Sequence, residues 1–545
     1  MLYWAAMRIA ILLAAVAGGL AGCGGDDGPP DPGTLGDAGL PLPPPSCTPA
    51  SGGGSAQVAA PVQVHALQDR WHEGWLASPA VVDLDGDGTV EIVAPRDERL
   101  LVWHADGTVV WQSDAVGRIW SSPVVADLVP SSPGLEVAIA SRQNLYAFTA
   151  GGQPLPGFPF EWQDEMRSLA AGDVDGDRAL ELVAVTNNPL DVGGQRDIVI
   201  VVEADGRIAA GFPANTGGIS GCDDACYVTG GYDQNVALGD VDGNGVVDIL
   251  APQDNAYVSL HDGTGRAFDA APIFDGRTKF AGIRFMVDYR LAQQGYADDE
   301  AVDEQGHFTN TAPAIADLDG DRVGEILLLG SVQNAGQDDR KRGVALWVVE
   351  KDGTRPAAWV DPPRRPDYLA GLEDWGGNVV GITNQVTVAD LDPGRPGPEI
   401  LFAGFDGKIH LVDAAGQARW SMPYTTSNHV GTGGLVVADL SGDGIPEIVF
   451  ASYGTQAGDG ALFVYDAGGS QLHRVPLPGR GAMAVPTLAD ADGDGDLDIT
   501  VSLKDGADDT PLVLVFEVPG SSANCLLWPT GRGNYRRDGY LPPPS

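Results

Sequence analysis

A nine-residue acidic loop recurs along the chain and constrains its fold more than any other feature. The first copy, DLDGDGTVE, begins at Asp83 and lies between two apolar runs, SPAVV and IVAP. Seven more copies follow, of which five keep the pattern and two are degraded; the complete ones begin at Asp173, Asp240, Asp317, Asp439 and Asp490, and the degraded ones at Asp127 and Asp390. Spacings of about 44 to 77 residues are typical of propeller blades or other repeat arrays that carry insertions.

The residues around each loop follow one strand pattern. An apolar run such as APAIA precedes the loop, and a short run such as EIVAP follows it. A β-rich stretch that ends in a turn comes next, for example LLVWHADG, and then a last short run such as TVVWQS. Four short strands bounded by Gly, Asp and Pro turns predict an all-β propeller of four-stranded blades. Eight copies favour eight blades, and the two degraded copies leave seven open. A linear array is disfavoured because a closed ring leaves no exposed strand edge.

The acids of each complete loop stand at positions 1, 3, 5 and 9, with few exceptions, and position 7 is placed to offer a backbone carbonyl. Alternating carboxylates on a tight turn bring their oxygens to one point. Such a density of hard oxygen ligands suits Ca²⁺, whereas Mg²⁺, which demands stricter octahedral geometry, is the second choice. The sequence thus predicts about five or six calcium ions. Their expected ligands are Asp83, Asp85, Asp87, Thr89 and Glu91; Asp173, Asp175, Asp177, Ala179 and Glu181; Asp240, Asp242, Asn244, Val246 and Asp248; Asp317, Asp319, Asp321, Val323 and Glu325; Asp439, Ser441, Asp443, Ile445 and Glu447; and Asp490, Asp492, Asp494, Asp496 and Asp498.

The loop differs from an EF-hand in its later positions. An EF-hand needs a bidentate Glu at position 12, where the first copy has Ala94, and helices on both sides, where this chain has strand patterns. We therefore expect calcium to clamp a β-hairpin and to do no chemistry; a solvated acidic turn without metal is the alternative. The degraded copies lack the central acids, and we expect no ion there.

The array resembles the FG-GAP/VCBS repeats of integrin α-subunit propellers and of many bacterial surface proteins, over roughly residues 65–520. The letters GFP at Gly157 and Gly211, and FAGFDG at Phe402, are partial echoes of the family, whereas Asn244 and Ser441 depart from its acids. In that family the loop joins the first two strands of a blade and binds Ca²⁺. The resemblance implies a surface binding or adhesion module. A calcium-dependent polysaccharide lyase, similar to rhamnogalacturonan lyases, and a purely structural envelope scaffold are the alternatives.

The N-terminal segment predicts export and lipid anchoring. Residues 1–22 hold the basic Arg8, an apolar run and small residues, as signal peptides do. LAGC, which ends at Cys23, resembles a bacterial lipobox; the resemblance implies cleavage before that cysteine, its lipidation, and, with Gly24 next, an outer-membrane or surface location in a Gram-negative-type bacterium. An ordinary secretory signal with a chance cysteine is the alternative.

The rest of the chain divides by composition. Residues 23–60 are rich in Pro and Gly and predict a disordered tether. Residues 61–520 form the predicted propeller, and we expect residues 521–545 to complete or pin its last blade. The remaining four cysteines are an even number in an exported chain and predict disulfides between Cys222 and Cys226 and between Cys47 and Cys525; zinc is the rival, but no His lies near CDDAC.

Charge and motifs exclude several functions. With a net charge of −43, the chain should bind neither nucleic acid nor an anionic membrane through its own charge, so contact with the membrane is expected only through the N-terminal lipid. There is no nucleophile elbow, P-loop or His-Glu-x-x-His, so we expect no enzyme and no catalytic residue.

The loops that lead into each blade should line the channel mouth opposite the acidic loops, where we expect an unknown protein or glycan partner. Their candidate contact residues are Trp75, Trp120, Arg167, Tyr232, Gln234, Asn310, Asn384, Asn428 and His429. Packing of the Trp residues between blades is the alternative. The insertion 284–308 is the best helical candidate, either a lid, a docking arm or a decorated loop.

Overall fold

The computed structural model describes residues 57–68, 72–188, 198–214, 230–294, 304–309, 311–334, 342–372, 384–506, 511–522 and 525–543. Cys23, Cys47, Cys222, Cys226 and Asn310 lie outside the described residues, and the predictions made for them stay predictions.

The chain forms eight antiparallel blades around a central axis, which confirms the predicted propeller and its larger blade number. In each blade the apolar run before the acidic loop is the first strand, and the run after the loop is the second. The strands of the first four blades follow β1 (Val62–Leu67): β2 (Ala80–Val82), β3 (Glu91–Arg96), β4 (Arg99–His104) and β5 (Val109–Asp114); β6 (Val124–Ala126), β7 (Glu136–Ser141), β8 (Asn144–Phe148) and β9 (Phe160–Glu161); β10 (Met166–Gly172), β11 (Glu181–Thr186) and β12 (Val199–Val202); β13 (Ala237–Gly239), β14 (Asp248–Pro252) and β15 (Val258–His261). Single bridges, Val202 to Ile208 and His261 to Ala267, mark the fourth place in blades 3 and 4.

Blades 5 to 7 carry additional short strands at their edges, and blade 8 follows them. Their strands are β16 (Gln305–His307), β17 (Thr311–Ala312), β18 (Ala314–Ala316), β19 (Glu325–Gln333), β20 (Val344–Val349) and β21 (Arg364–Arg365); β22 (Asn384–Gln385), β23 (Thr387–Ala389), β24 (Glu399–Ala403), β25 (Lys408–Val412) and β26 (Ala418–Pro423); β27 (Val430–Thr432), β28 (Val436–Ala438), β29 (Glu447–Gly454), β30 (Ala461–Tyr465) and β31 (Gln471–Pro476); β32 (Thr487–Ala489), β33 (Leu497–Ser502) and β34 (Val513–Val518). Two strands, β35 (Leu526–Trp528) and β36 (Tyr540–Leu541), follow the last blade.

Apolar clusters between neighbouring blades make up the core. Leu101 and Trp103 of blade 1 share one cluster with Val515 of blade 8, and Leu169 and Leu182 of blade 3 share another with blade 2. The second strands of blades 1, 2 and 3 are buried along their whole length, because each blade packs against a neighbour on both faces. Propeller closure thus buries apolar surface that a single blade would expose to water.

The last blade is completed by the N-terminal strand and not by the C-terminal segment. β1 pairs antiparallel with β34, from Val62 opposite Glu517 to Leu67 opposite Val513. Our expectation that residues 521–545 complete this blade is therefore wrong. The segment does contact the blade, since the Leu488 N–H donates to the Pro529 carbonyl and the Leu497 N–H to the Ser521 hydroxyl. A strand from the opposite end of the chain covers the last sheet edge and joins the ring, which removes the edge that an open array would expose.

The C-terminal segment instead fills the channel, and we call residues 525–541 the central segment. β35 pairs with β28 of blade 7, and β36 pairs in parallel with β18 of blade 5. Backbone N–H groups of other inner strands donate to its carbonyl oxygens: Val125 to Tyr535 (2.9 Å), Ala171 to Arg536 (2.9 Å), Leu238 to Asp538 (2.7 Å) and Leu488 to Pro529 (2.8 Å). Blade 1 contacts the central segment through the Val81 carbonyl, which accepts from the Tyr535 hydroxyl. Blade 6 contacts it through the Gln385 side chain, which accepts from the Arg532 N–H. One segment therefore contacts all eight blades.

Two arginines of the central segment are buried in the channel. Arg532 is 1% exposed and Arg537 is 0% exposed. Arg537 donates to the carbonyl oxygens of Pro123 (3.0 Å) and Pro79 (3.0 Å), and Arg532 to that of Val236 (2.8 Å). Both residues have a φ of 60°, a left-handed conformation that costs a non-glycine residue about 1–2 kcal/mol. The hydrogen bonds between blades hold these arginines in a conformation that they would not adopt alone.

The insertion predicted to be helical contains only a short helix among its described residues. α1 (Tyr289–Gln293) starts after Asp288, whose carboxylate accepts from the Arg290 N–H and caps the helix. Three-residue 3₁₀ turns lie at Phe280–Gly282 and Ala357–Trp359. Within the described ranges, no helix has the length and apolar character needed to cross a membrane.

Candidate functional site: acidic loops and the opposite channel mouth

Backbone hydrogen bonds give the complete acidic loops one shape. In the first copy the Gly86 and Gly88 N–H groups donate to the two carboxylate oxygens of Asp83, both at 2.8 Å. The Thr89 N–H donates to Asp87 at 2.7 Å. Gly88 at position 6 is left-handed, with a φ of 88°, and Arg178 and Arg322 take the same conformation in the third and fifth copies. The pattern of acids therefore fixes the turn before any ion is considered.

The acid at position 9 closes each loop from the start of the second strand. Glu91 accepts from the Leu84 N–H at 2.8 Å, Glu181 from Val174 at 2.9 Å, and Asp498 from Ala491 at 2.9 Å. The second carboxylate oxygens of Glu181 and Asp498 are buried without a hydrogen-bond partner. A buried acceptor oxygen without a donor is costly, and a cation beside it would remove that cost.

Burial also raises the pKa of these position 9 carboxyls. It raises the pKa of Glu181, Asp248, Glu325 and Glu447 to about 8, and that of Asp498 to about 7. The neighbouring aspartates of each loop raise the pKa further, whereas backbone N–H donors lower it. A divalent cation among these groups would offset both burial and repulsion.

Five of the predicted sites bring acidic oxygens close enough to hold an ion. In each, one oxygen from each of three carboxylates lies within 4.8 Å of the others. The groups are Asp83, Asp85 and Asp87; Asp173, Asp175 and Glu181; Asp240, Asp242 and Asp248; Asp317, Asp319 and Asp321; and Asp490, Asp492 and Asp498. The donor set, all carboxylate oxygens, fits a hard cation such as Ca²⁺. The identity of the ion and the carbonyl ligands at Thr89, Ala179, Val246, Val323, Ile445 and Asp496 stay predictions.

The degraded loops keep the closing acid even though both lack an acid at position 5. Glu136 accepts from the Leu128 and Val129 N–H groups, both at 3.0 Å, and Glu399 accepts from Leu391 at 2.9 Å. This second role of the closing acid was not predicted from the sequence. The signal was present, since an acid is the first or second residue of the second strand in all eight copies.

Four residues predicted for the opposite mouth take part in one stack of alternating cations and aromatic rings. The Arg118 guanidinium lies 4.0 Å from the ring centroid of Trp75 and 4.8 Å from that of Trp120. Arg167 follows, 4.1 Å from Trp120 and 5.1 Å from Tyr232. We call these residues, with Lys504, whose Nζ lies 3.4 Å from the Trp75 ring, the mouth stack. It extends from blade 8 to the segment that enters blade 4.

Carboxylates pair with every cation of the mouth stack. Arg118 pairs with Asp97 at 3.0 Å, Arg167 with Asp233 at 3.3 Å, and Lys504 with Glu73 at 2.5 Å. The stack therefore has little net charge of its own, although it lies on a strongly acidic protein. Such cation–π pairs contribute about 0.5–2 kcal/mol each and hold neighbouring blades together.

The other predicted mouth residues lie in different surroundings. Gln234 is buried and donates to the Trp120 carbonyl at 3.2 Å. The Asn428 side chain donates to the Ala370 carbonyl at 2.6 Å, and Asn384 pairs with Thr311 through its backbone in β22. Arg118 and Lys504 were missed by the sequence analysis, because nothing in their local sequence marks them as neighbours of Trp75.

Cys525 begins the central segment and is fully buried. Its sulfur belongs to a disulfide. Since the other cysteines lie outside the described residues, the specific pairing with Cys47 stays a prediction.

One repeat family and several solved structures are similar to this chain. Residues 439–501, which hold the loops that begin at Asp439 and Asp490, match the FG-GAP-like repeat family. Comparison with curated proteins finds no match. A Bacillus licheniformis rhamnogalacturonan lyase is similar, with 14% identity, coverage of 86% of this chain and 76% of that chain, and a TM-score of 0.45. The V. cholerae biofilm matrix protein Bap1 is also similar, with 13% identity, coverage of 86% of this chain and 92% of that chain, and a TM-score of 0.38. BBS1N, crystallised in complex with ARL6DN, is another (10% identity, 84% and 97%, TM-score 0.44). The chain is thus an eight-bladed β-propeller that contains an FG-GAP-like repeat.

Proposed function

We propose that this protein is a lipid-anchored, calcium-stabilised propeller that binds a partner outside the cytoplasm, as a surface binding or adhesion module. The observation that supports this function best is the mouth stack, which presents half-buried Trp75, Trp120 and Tyr232 beside arginines on the face opposite the acidic loops. Trp, Tyr and Arg are the residues most enriched in binding hot spots.

The central segment supports a partner at the mouth and not inside the channel. Because residues 525–541 contact all eight blades, the axis is occupied by the chain itself. The acidic loops cover the other face, where calcium has a structural role in this proposal.

The chemistry of the mouth stack favours a protein partner over a glycan. Sugars stack on free aromatic faces, whereas Trp75 and Trp120 each have two cations close to their rings. Ring edges and rigid guanidinium groups remain for contact, and their conformations are already fixed. Such a preorganised surface loses little side-chain entropy on binding.

Binding of the labelled protein to native envelopes tests this role. The double change Arg118→Ala and Arg167→Ala should weaken binding about tenfold or more, since a hot-spot residue contributes about 2 kcal/mol or more. Arg207→Ala is the matched control, because Arg207 is an exposed arginine, 77% accessible, on a different turn. Equal binding by all three proteins would exclude the mouth stack as the contact surface.

Lipid anchoring has its own test. We expect Cys23→Ser to release the protein from the membrane fraction and to abolish palmitate labelling. A variant that still incorporates palmitate would contradict the lipobox interpretation.

The lyase and scaffold alternatives predict different results. A polysaccharide lyase would produce unsaturated sugars, which absorb ultraviolet light, from an acidic glycan panel. A scaffold would produce none and would also show no saturable binding to envelopes. The proposed binding module should bind saturably without forming unsaturated products.

A further inference from the structure

A serine, a histidine and an aspartate lie within hydrogen-bond distance of one another on blade 6. His410 of β25 is paired with Ser421 of β26 across the sheet, and the Ser421 Oγ lies 2.7 Å from His410 Nδ1. Asp406, in the turn before β25, lies 3.1 Å from His410 Nε2 through its Oδ1. His410 is 1% exposed, whereas Ser421 is exposed at the outer strand.

The surrounding hydrogen bonds fix the tautomer of His410. The Arg365 Nε donates to His410 Nδ1 at 3.0 Å, and a guanidinium can only donate. Nδ1 therefore carries a lone pair, and the ring proton is on Nε2, where it is donated to Asp406. Nδ1 has one lone pair, so the Ser421 hydroxyl competes with the Arg365 Nε–H for it. Proton transfer from Ser421 to Nδ1 therefore requires that the guanidinium release this nitrogen.

The histidine ring is also held in position. It stacks on Phe402 with the ring centroids 5.2 Å apart and the planes at 26°. The Lys408 N–H donates to Asp406 at 3.1 Å, and its Nζ lies 3.5 Å from the other carboxylate oxygen. A Cβ on Gly404 would lie 2.5 Å from the Asp406 Oδ1 and 2.7 Å from His410 Nε2, so only glycine leaves room for this pair.

We propose that Ser421, His410 and Asp406 form a hydrolytic site for small carboxylic esters, independent of partner binding at the mouth. The three groups meet the geometric requirement for nucleophilic catalysis, in which the nucleophile contacts a base and the base contacts an orienting acid. Ser421 and His410 lie on antiparallel neighbouring strands and Asp406 lies in the turn before β25, so no short sequence motif marks the three residues.

The reaction needs only an ester and water. As the Ser421 Oγ bonds to the carbonyl carbon, its proton moves to His410 Nδ1. The bond to the alcohol oxygen then breaks, and the alcohol leaves with that proton. Water adds to the acyl-serine by the same route and releases the acid. The Arg365 guanidinium beside Nδ1 supplies positive charge for the developing oxyanion, and Asp406 is a positioning residue.

Charged groups around His410 determine its pH dependence. Burial lowers the pKa of His410, and Arg365 and Lys408 lower it further, whereas Asp406 raises it. The base should therefore stay neutral below the ordinary histidine range, and activity should fall only at more acidic pH.

A fluorophosphonate probe tests the site in the purified full-length chain with calcium. We expect a single adduct on Ser421 by peptide mapping, and slow hydrolysis of p-nitrophenyl acetate. His410→Asn should slow labelling by about 100-fold or more, and Ser421→Ala should abolish it. Ser113→Ala is the matched control, because Ser113 lies on the fourth strand of blade 1 opposite Leu100 and not opposite a histidine.

Two further results separate catalysis from a structural role. Asp406→Asn should move the acid limb of the labelling rate to lower pH, since it removes the group that raises the His410 pKa. Circular dichroism must show that each variant is folded. An unlabelled Ser421 in the native chain, or equal labelling rates in native and folded His410→Asn proteins, would overturn the proposal.

Discussion

The acidic loops and the central segment hold the propeller in different ways. The loops are repeated, local and charged, and each joins two strands of one blade through Asp and Glu side chains. The central segment occurs once and contacts all eight blades through backbone hydrogen bonds and buried arginines. The repeated sequence therefore forms each blade, whereas a segment outside the repeat holds the blades around a common axis.

The two regions also differ in what their stability requires. Two carboxylates ~4 Å apart repel by about 4 kcal/mol at an effective dielectric constant of 20, so we expect each complete loop to need a cation for full stability. Each hydrogen bond of the central segment contributes only about 0.5–1.5 kcal/mol. These bonds join eight blades, however, and are lost together if the segment leaves the channel.

Removing the central segment should have the largest effect. We expect a chain that ends at Asn524 to lose cooperative thermal unfolding and near-ultraviolet circular dichroism, because inner-strand N–H groups lose their acceptors and the channel opens to water. Deletion of residues 542–545, beyond the last strand, is the control. Addition of a synthetic peptide of residues 525–545 should restore part of the signal. An unchanged melting curve for the shortened chain would refute the role of this segment.

Chelation of calcium should have the next largest effect. Each site contributes about 2.7 kcal/mol when the ion is at 100 times its Kd, and 1 kcal/mol shifts the Tm of a domain as large as this propeller by about 1 °C. Loss of all the expected ions should therefore lower the Tm by about 10 °C or more. Calorimetry should show recovery with Ca²⁺ and a smaller recovery with Mg²⁺. A melting curve unaffected by chelator, with no calcium by elemental analysis, would leave these loops as bare acidic turns.

A single arginine should show how the central segment acts. Burial lowers the pKa of Arg537 to about 9, with Tyr535 opposing. Arg537→Ala removes the donor to the carbonyl oxygens of Pro123 and Gly531, whereas the Pro79 carbonyl still accepts from the Thr487 hydroxyl. We expect a loss of about 3 kcal/mol in the free energy of unfolding, measured in urea, because each buried unsatisfied group costs about 1–3 kcal/mol. The exposed Arg207→Ala should change it by less than about 0.5 kcal/mol. Equal values for both variants would mean that the buried arginine contributes no more than a surface one.

The sequence predicted the repeated part of the fold because its signals are local. The order of acids, glycines and apolar runs around Asp83 contains the turn, the strands and the candidate ligands. The eight copies gave the blade number, and the structure brings the carboxylates of five predicted sites together.

The parts that sequence reasoning missed depend on contacts between distant residues. Nothing in the local sequence of Arg532 or Val62 shows that one enters the channel and the other completes the last blade. The 17 residues of the central segment have no repeat pattern and little periodicity. Likewise, Lys504 and Trp75 meet only because the ring closes.

Substitutions in single loops should show whether complete and degraded copies differ in calcium binding. Asp492→Ala removes one expected ligand of the eighth loop, and we expect it to abolish one ion and to cost about 2–3 kcal/mol at saturating calcium. Ser131→Ala in the degraded second loop should change neither the ion count nor the Tm. Elemental analysis and calorimetry check both. An equal ion count in the two variants would show that the central acids do not distinguish the loops.

The smallest expected effect concerns Asp233, a buried carboxylate that pairs with Arg167 and lies outside the acidic loops. Burial raises the pKa of Asp233 to about 6, although Arg167 lowers it. An unfolded Asp has a pKa of about 3.9, so the folded state binds the proton more tightly. This group therefore contributes stability below about pH 4 that is lost as the pH rises to about 6.

Asp233→Asn removes that titration and keeps a neutral side chain of similar size. At acidic pH the two proteins should have nearly equal free energies of unfolding, because the protonated acid and the amide are both uncharged. Above about pH 6 the native protein should become less stable than the variant by an amount on the order of 2 kcal/mol. Urea unfolding of both proteins at constant calcium, from pH 4 to 8, gives this difference directly and cancels the titration of the acidic loops. A difference that does not change with pH would show that Arg167 offsets the burial of Asp233 completely. A fixed guanidinium would then stabilise one buried carboxylate, as calcium is expected to stabilise the four of an acidic loop.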